Sequence, residues 1–229
     1  MSSDTHNTDA VLEMVKAGVL FGHKKTKTHP RMKPYIGGRR NEIELLDPEV
    51  TEKSLNIAAE FLKQIVKGNG LILFVGTRPA AKTSIQSFAD AFKAPFVTFR
   101  WLGGILTNFK ILNQRSVYYQ DLKAKHEKGE LSKYTKKEQL DFAKEVSKLS
   151  RIFNGLQPLT RLPDALFIID IEEHATAVRE AQRMHIPVVA LIDTNDDPLG
   201  VEYPIFANDH TKASIEWVIE ALKKKIEEA

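Results

Sequence analysis

The sequence predicts an α/β fold: a parallel, doubly wound sheet with helices on both faces and an inserted antiparallel coiled-coil helical hairpin. Three observations predict it. Short, continuously apolar runs recur at Leu71–Val75, Phe96–Phe99, Ala165–Ile169 and Val188–Ile192, as strands buried on both faces require. Helical patterns lie between them, over residues 79–93 and 173–184, and a last one covers about 210–227; strand–helix alternation of this kind gives a parallel sheet with right-handed connections. Residues 105–153 interrupt the alternation with Lys, Glu, Gln and Leu and almost no β signal.

Each element has its own justification. Residues 1–9 are polar and expected to fray, and residues 10–20 suit a short amphipathic helix with Val11, Met14 and Val15 on one face. Pro30, Pro34, Gly37 and Gly38 break any helix in the next segment, which reads as a basic arm ending in a hairpin of Tyr35–Ile36 against Ile43–Leu46. Asp47-Pro48 starts a helix that runs to about Lys67 and stops at Gly68. In the insertion, Phe142, Val146, Leu149 and Phe153 step as a coiled-coil seam does, and Gly129 is the turn. The expected organisation is one globular unit from residues 1–104 and 154–229, with the hairpin at 105–153. The architecture is Rossmann- or flavodoxin-like.

Composition excludes several functions. The 229 residues contain no Cys, so disulfides, thiolate metal sites and a cysteine nucleophile are ruled out. No apolar run reaches the roughly 20 residues that cross a bilayer, and the start, MSSDTHNTDA, has no signal-like pattern. A cytoplasmic protein with no membrane association is expected.

The net charge of +3 hides a polarised distribution: residues 1–151 hold 26 basic and 16 acidic groups (+10), and the remainder sums to −7. Between Lys16 and Arg40 there is no acid at all. An arm of this kind, with Gly and Pro among the cations, suits phosphate contacts. Lys24, Lys25, Lys27, Arg31, Lys33, Arg39 and Arg40 are the candidate RNA-binding residues there. Arg100, beside Gly103-Gly104, and Lys110 and Arg115 on the hairpin extend the set, with a solvated charged surface as the alternative. Thr107 or Asn108 is placed to cap the helix after that glycine pair.

Two chemical motifs are weaker. The stretch GTRPAAK after the first buried strand has one Gly and no phosphate-binding fingerprint, although Arg78 and Lys82 remain possible phosphate contacts. Asp170 and Asp193 follow buried strands, and Asp209 and His210 open the last helix. They can converge at one sheet edge. Helix capping and turn chemistry explain them, and so does a structural divalent metal, zinc or magnesium, on Asp193, Asp209 and His210. His23 is positioned in the arm to complete such a site. No nucleophile–base arrangement stands out, no cofactor is required, and no enzyme activity is expected.

The blocks AGVLFGHKKTKTHPRMKPYIGGRRNEIELLD (17–47), LFVGTRPAA (73–81), FRWLGGILTNF (99–109), LPDALFIID (162–170) and IPVVALIDTNDDP (186–198) resemble, in order and spacing, the bacterial small ribosomal subunit protein 2 family. The resemblance implies a five-stranded parallel sheet with a protruding hairpin. It implies a structural constituent of the 30S subunit, set between head and body, in the cytoplasm. The implied partners are 16S rRNA and neighbouring ribosomal proteins, including the mRNA-binding ribosomal protein one, docked on the globular body and hairpin base. No homo-oligomer is implied. Asp193 and Asp209 match positions at which some family members hold a metal. This chain departs from the family at Thr28-His29, Glu172-Glu173 and Asp209-His210. Two other classes compete on the residues alone: a nucleotide-dependent α/β enzyme and an RNA-independent protein-interaction module. An arm that is disordered when free, with Tyr35 available to stack on bases, completes the expectation.

Overall fold

The computed structural model describes residues 2–227, with side chains from residue 10 onward apart from Ser132. The chain begins with helix α1 (Ser2–Ala17). It starts well before the residue-10 boundary, because neither Gly nor Pro interrupts residues 2–9. An antiparallel sheet follows, of β1 (Phe21–Lys24), β2 (Ile36–Arg40) and β3 (Ile43–Leu46), in the order β1-β3-β2. Asn41 and Glu42 both take left-handed backbone, with φ of 48° and 66°, as a two-residue turn between twisted strands requires.

Helix α2 (Pro48–Lys67) has Asp47 as its N-cap, accepting from the Glu49 amide at 2.9 Å, and Gly68 closes it. Then come β4 (Ile72–Val75), α3 (Pro79–Ala91), β5 (Phe96–Val97), the hairpin α4 (Phe109–Glu127) and α5 (Lys136–Phe153), β6 (Ala165–Ile169), α6 (Ala175–Arg183), β7 (Val188–Ile192), β8 (Tyr203–Phe206) and α7 (Lys212–Glu227). The main sheet is parallel throughout, in the order β5-β4-β6-β7-β8. The chain therefore reverses its direction of growth across the sheet at the β4/β6 junction.

Strand alternation divides the core. Ile72, Phe74, Phe167, Ile169, Val189 and Leu191 pack with α1, α2, α3 and α7, where Phe88, Leu62 and Leu222 are buried. Leu73, Val75, Leu166, Ile168, Val188 and Ile192 pack on the other face with α6, the hairpin base and the arm. Period-two geometry forces this split, since adjacent side chains leave a strand on opposite faces.

The fifth strand is β8, whose sequence YPIF does not read as a strand. Pro204 cannot donate to a ladder, which confines it to an edge, and β8 is one. Helix α2 covers that edge: Thr51 Oγ1 donates to the Phe206 carbonyl at 2.8 Å, and the Phe206 amide donates to Ser54 Oγ at 3.3 Å.

The arm is a folded element rather than a loose one. Met32 and Leu46 are fully buried in the second core face. The His23 amide donates to Thr194 Oγ1 at 2.8 Å, and the His29 amide donates to the Thr194 carbonyl at 2.9 Å. Tyr35 stacks on Phe206 with ring centroids 4.0 Å apart, so it is occupied by the core instead of presented to bases. At Gly22 a Cβ atom would collide with the Thr194 side chain. Gly22→Ala is therefore expected to destabilise the fold by about 1–3 kcal/mol through overpacking, read as a lower denaturation midpoint, and to raise protease sensitivity within residues 21–40 before the body unfolds.

Candidate nucleic-acid interface and metal centre

The arm presents its cations outward. Arg39 and Arg40 lie on β2, opposite Glu44 and Ile43 of β3, and both are exposed. Glu44 itself is buried and accepts from the Thr28 hydroxyl. Lys24, Lys25, Lys27 and Lys33 are exposed as well. Among the described residues none of these six has a carboxylate partner, whereas Arg31 pairs with Asp197 at 2.6 Å. That exposed ion pair is worth little, but it holds Arg31 against the body. Lys110 and Arg115 are exposed on α4, away from the arm in sequence. Arg78, a possible phosphate contact from sequence, turns inward instead: it pairs with the buried Asp170, and its Nη1 lies 2.9 Å from His210 Nε2.

Arg100 lies in the connection between β5 and the hairpin, and one carboxylate organises that connection. Glu180 of α6 is buried and accepts from Trp101 Nε1 (3.1 Å), the Gly104 amide (2.8 Å), the Leu106 amide (3.1 Å), and the amide and hydroxyl of Thr107 (3.2 and 3.1 Å). Gly104, at φ 95°, supplies the left-handed turn. Asn108 occupies the N-cap of α4 without a side-chain hydrogen bond. Thr107 thus does not cap the helix, because its hydroxyl donates to a carboxylate from across the fold. Burial raises the Glu180 pKa, but the hydrogen bonds from Gly104, Trp101, Thr107 and Leu106 outweigh it and leave the net shift downward.

Arg100 also separates two depressions. One, of about 640 Å³, lies between residues 99–102 and α5, with Lys144, Lys148 and Arg151 on its rim. The other, of about 320 Å³, is lined by Thr77, Trp101, Glu173 and His174 at the carboxyl ends of β4 and β6. The His174 Nδ1 faces the Asp170 carbonyl at 2.7 Å and so carries the proton, leaving Nε2 to accept from the Thr77 hydroxyl at 3.1 Å. Sequence reasoning did not single out Lys144, Lys148 and Arg151. Their 4 and 3 spacing, offset from the Phe142–Val146–Leu149–Phe153 seam, was the available signal.

The acidic cluster converges at the same edge of the sheet. Asp170, Asp193, Asp196 and Asp209 are all buried. Each reading of them has support, on different oxygens. Asp170 Oδ1 accepts from the Glu173 amide at 3.0 Å, Asp193 Oδ1 from the Thr194 amide at 2.6 Å and Asp196 Oδ2 from the Asp193 amide at 3.0 Å, which is turn chemistry. Asp193 Oδ2 instead faces His23 Nδ1 at 3.0 Å and His210 Nδ1 at 3.8 Å. His23, Asp193 and His210 offer ligand atoms within 4.8 Å of one another. Asp209 stands behind His210, with Oδ1 accepting from its Nδ1 and Oδ2 buried without a partner. The hydrogen bond that His23 donates to Asp193 raises the His23 pKa, and the one that His210 donates to Asp209 raises the His210 pKa, each against burial. Burial, followed by Asp209, pushes Asp196 up to about 8.

A family model described as Ribosomal protein S2 matches residues 14–229. The chain belongs to the ribosomal protein S2 family. It is 40% identical over 210 residues to the small ribosomal subunit protein uS2 of Marinobacter nauticus, covering 92% of this chain and 84% of that one. It is 42% identical over 204 residues to the protein of the same name from Hahella chejuensis, covering 89% and 81%. These relatives are named as ribosomal proteins. The parallel sheet agrees with the expected fold class, and among the described residues no helix is long and apolar enough to cross a membrane.

Because Glu180 has a lowered pKa, its contribution is complete above the ordinary carboxyl value of 4.5 and is lost as pH falls through the depressed folded value. Glu180→Gln replaces an acceptor with an amide that faces five donors, and it is expected to destabilise the protein by about 2–4 kcal/mol at neutral pH. In denaturant titrations the gap between the two proteins should close on acidification below pH 4.5. A constant gap would remove the carboxylate from this role.

Proposed function

We propose that this chain is a structural constituent of the small ribosomal subunit that binds 16S rRNA through its folded arm and the neighbouring basic surface. The observation that carries the reading is the exposed, unpaired set Lys24, Lys25, Lys27, Lys33, Arg39 and Arg40, held on the strands of the arm and the short helical turns between β1 and β2, and bonded to the body through Thr194. Fixed cations meet phosphates without first losing the conformational freedom of a loose arm, and phosphate neutralisation releases counterions. The acidic segment 161–229 is the part left for protein neighbours, with the mRNA-binding ribosomal protein one among them. An enzyme reading finds no phosphate-binding fingerprint at 76–82.

The test is a salt titration of 16S rRNA binding. Arg39→Ala together with Arg40→Ala should weaken binding and lower the slope of log K against log salt by about 1.5 for two lost phosphate contacts, with the thermal midpoint unchanged. An unchanged slope would place the contact elsewhere.

A structural divalent metal at the edge of the sheet belongs to the same reading. The orphaned Asp209 Oδ2, beside buried Asp170 and Asp193 with Arg78 paired to Asp170, fits a missing positive charge. His23, Asp193 and His210 would hold it, and the two imidazoles favour zinc over magnesium. The ion would supply charge neutralisation and a cross-link between arm and body. Micromolar zinc at about 100 times its Kd is expected to add roughly 2.7 kcal/mol, a rise in Tm of about 5–10 °C that EDTA reverses and His23→Ala abolishes. Equal midpoints with zinc, magnesium and EDTA would leave the cluster to turn chemistry alone.

A further inference from the structure

Phe99 is 49% exposed beside a rim of cations. A large aromatic at the surface, next to Arg100, Lys148 and Arg151, has an obvious alternative in the core of a neighbouring protein, so the surroundings decide. The 640 Å³ groove has Leu102 and Ile152 in its wall and Lys144 on its rim, and no carboxylate lines it. Among the described residues Arg100, Lys148 and Arg151 have no acidic partner; Lys144 lies 3.9 Å from Asp141. Three uncompensated cations around an apolar wall select an anionic partner. Lys82 Nζ stands 6.0 Å from the Phe99 ring centroid, which further polarises that ring toward an electron-rich neighbour.

The second depression separates an anionic peptide from RNA. It shares Phe99 and Arg100 with the groove, so the two adjoin as a trough across the Phe99–Arg100 ridge, with Glu173 of the second depression as its one lining carboxylate. It is about 320 Å³ and polar, with Thr77, Trp101, Glu173, His174 and Thr176 in its lining. It lies at the carboxyl ends of β4 and β6, where the strand order reverses. Loops diverge at such a point and leave a crevice that takes ligands. An amphipathic helix could lie along the groove but would have nothing to place in a narrow polar crevice. A flat base with donors and acceptors on its edge would.

We propose that this trough is a path for single-stranded RNA, with one nucleobase stacked on Phe99, flanking phosphates on Arg100, Lys148 and Arg151, and the next base in the crevice beside His174. The proposal rests on the rRNA reading above and names a second contact for it, distinct from the arm. Aromatic platforms within basic grooves bind single strands with little sequence preference. Glu180 fixes the platform: its hydrogen bonds to Trp101, Gly104, Leu106 and Thr107 hold the backbone immediately after Arg100.

The test measures binding of a labelled single-stranded oligouridylate, a duplex RNA of equal length and a polyglutamate peptide of equal charge to the full chain. The single strand should bind more tightly than the other two. Phe99→Leu should weaken it about tenfold with no change in salt slope, because stacking involves no counterion. Lys148→Glu and Arg151→Glu should weaken it and lower the slope. These three side chains are exposed, and circular dichroism of each variant checks the fold; ultraviolet cross-linking of the unaltered chain, with the adduct at Phe99, reads the same contact without substitution. Oligouridylate affinity unchanged in Phe99→Leu, with no adduct at Phe99, would overturn the proposal while leaving arm-dependent 16S rRNA binding intact. Equal capture of polyglutamate, lost in the same variants, would assign the trough to an acidic peptide instead. Loss of 16S rRNA binding by the unaltered chain would be failure of the broader reading.

Discussion

The joint between the N-terminal arm and the loop after β7 is the constraint on which the presented surface depends. Thr194 receives a hydrogen bond from the His23 amide on its hydroxyl and one from the His29 amide on its carbonyl. Gly22 has no side chain because Thr194 occupies that space. Met32 and Leu46 then enter the core behind the joint. Without these contacts residues 21–46 would be a short antiparallel sheet with little apolar surface of its own, and sheets of that size are marginal in water. The body thus lends its stability to a segment that is too basic and too Gly- and Pro-rich to fold alone.

A second long-range contact performs the same service for the hairpin. Backbone amides in the turn that leads into α4 need acceptors, and Glu180 supplies one to Gly104, Leu106 and Thr107 from α6, 73–76 residues away in sequence. A carboxylate that accepts five hydrogen bonds in a buried position couples the exit from β5, the turn that enters the hairpin and the last helix before β7. Bending the hairpin relative to the body would break several charge-assisted bonds together, so the connection is stiff where a loop of Gly103-Gly104 would otherwise hinge.

The parts that were legible in sequence are those governed by local or periodic rules. The buried strands 72–75, 165–169 and 188–192 stand out as apolar runs, the Asp47-Pro48 start and Gly68 stop follow capping rules, and Gly129 turns the hairpin at φ 71°. The parts that were not legible depend on partners distant in sequence. Tyr203–Phe206 contains a proline that only an edge position tolerates, and the edge becomes known only when α2 is seen to cover it. Glu180 reads as one of many helix acids. Tyr35 reads as an exposed aromatic until Phe206 is found against it. Arg78 reads as a phosphate ligand until Asp170 neutralises it. The convergence of Asp193 and His210 followed from their places after strands and before a helix, but the approach of His23 required the arm to fold back over the sheet.

The charge arithmetic changes once burial is known. Residues 161–229 sum to −7 from 14 acidic groups, a field that would repel RNA from that half of the molecule. Asp170, Glu180, Asp193, Asp196 and Asp209 are among those acids and all are buried. Asp170 is paired with Arg78, Glu180 is spread over five donors, and Asp196, with its pKa near 8, is largely protonated at neutral pH. A buried charge that is paired or protonated contributes little to the potential outside. The outward field of the C-terminal half is therefore weaker than its sequence sum. The arm and the β5–α5 groove carry exposed cations that have no acidic partner among the described residues. Thr194 after β7 ties the arm to the carboxyl edge of the sheet, and Phe99 and Arg100 of the groove also line the crevice at the ends of β4 and β6. Five of the fourteen acids of residues 161–229 are thus folded inward, and the sequence sum overstates the charge that half presents.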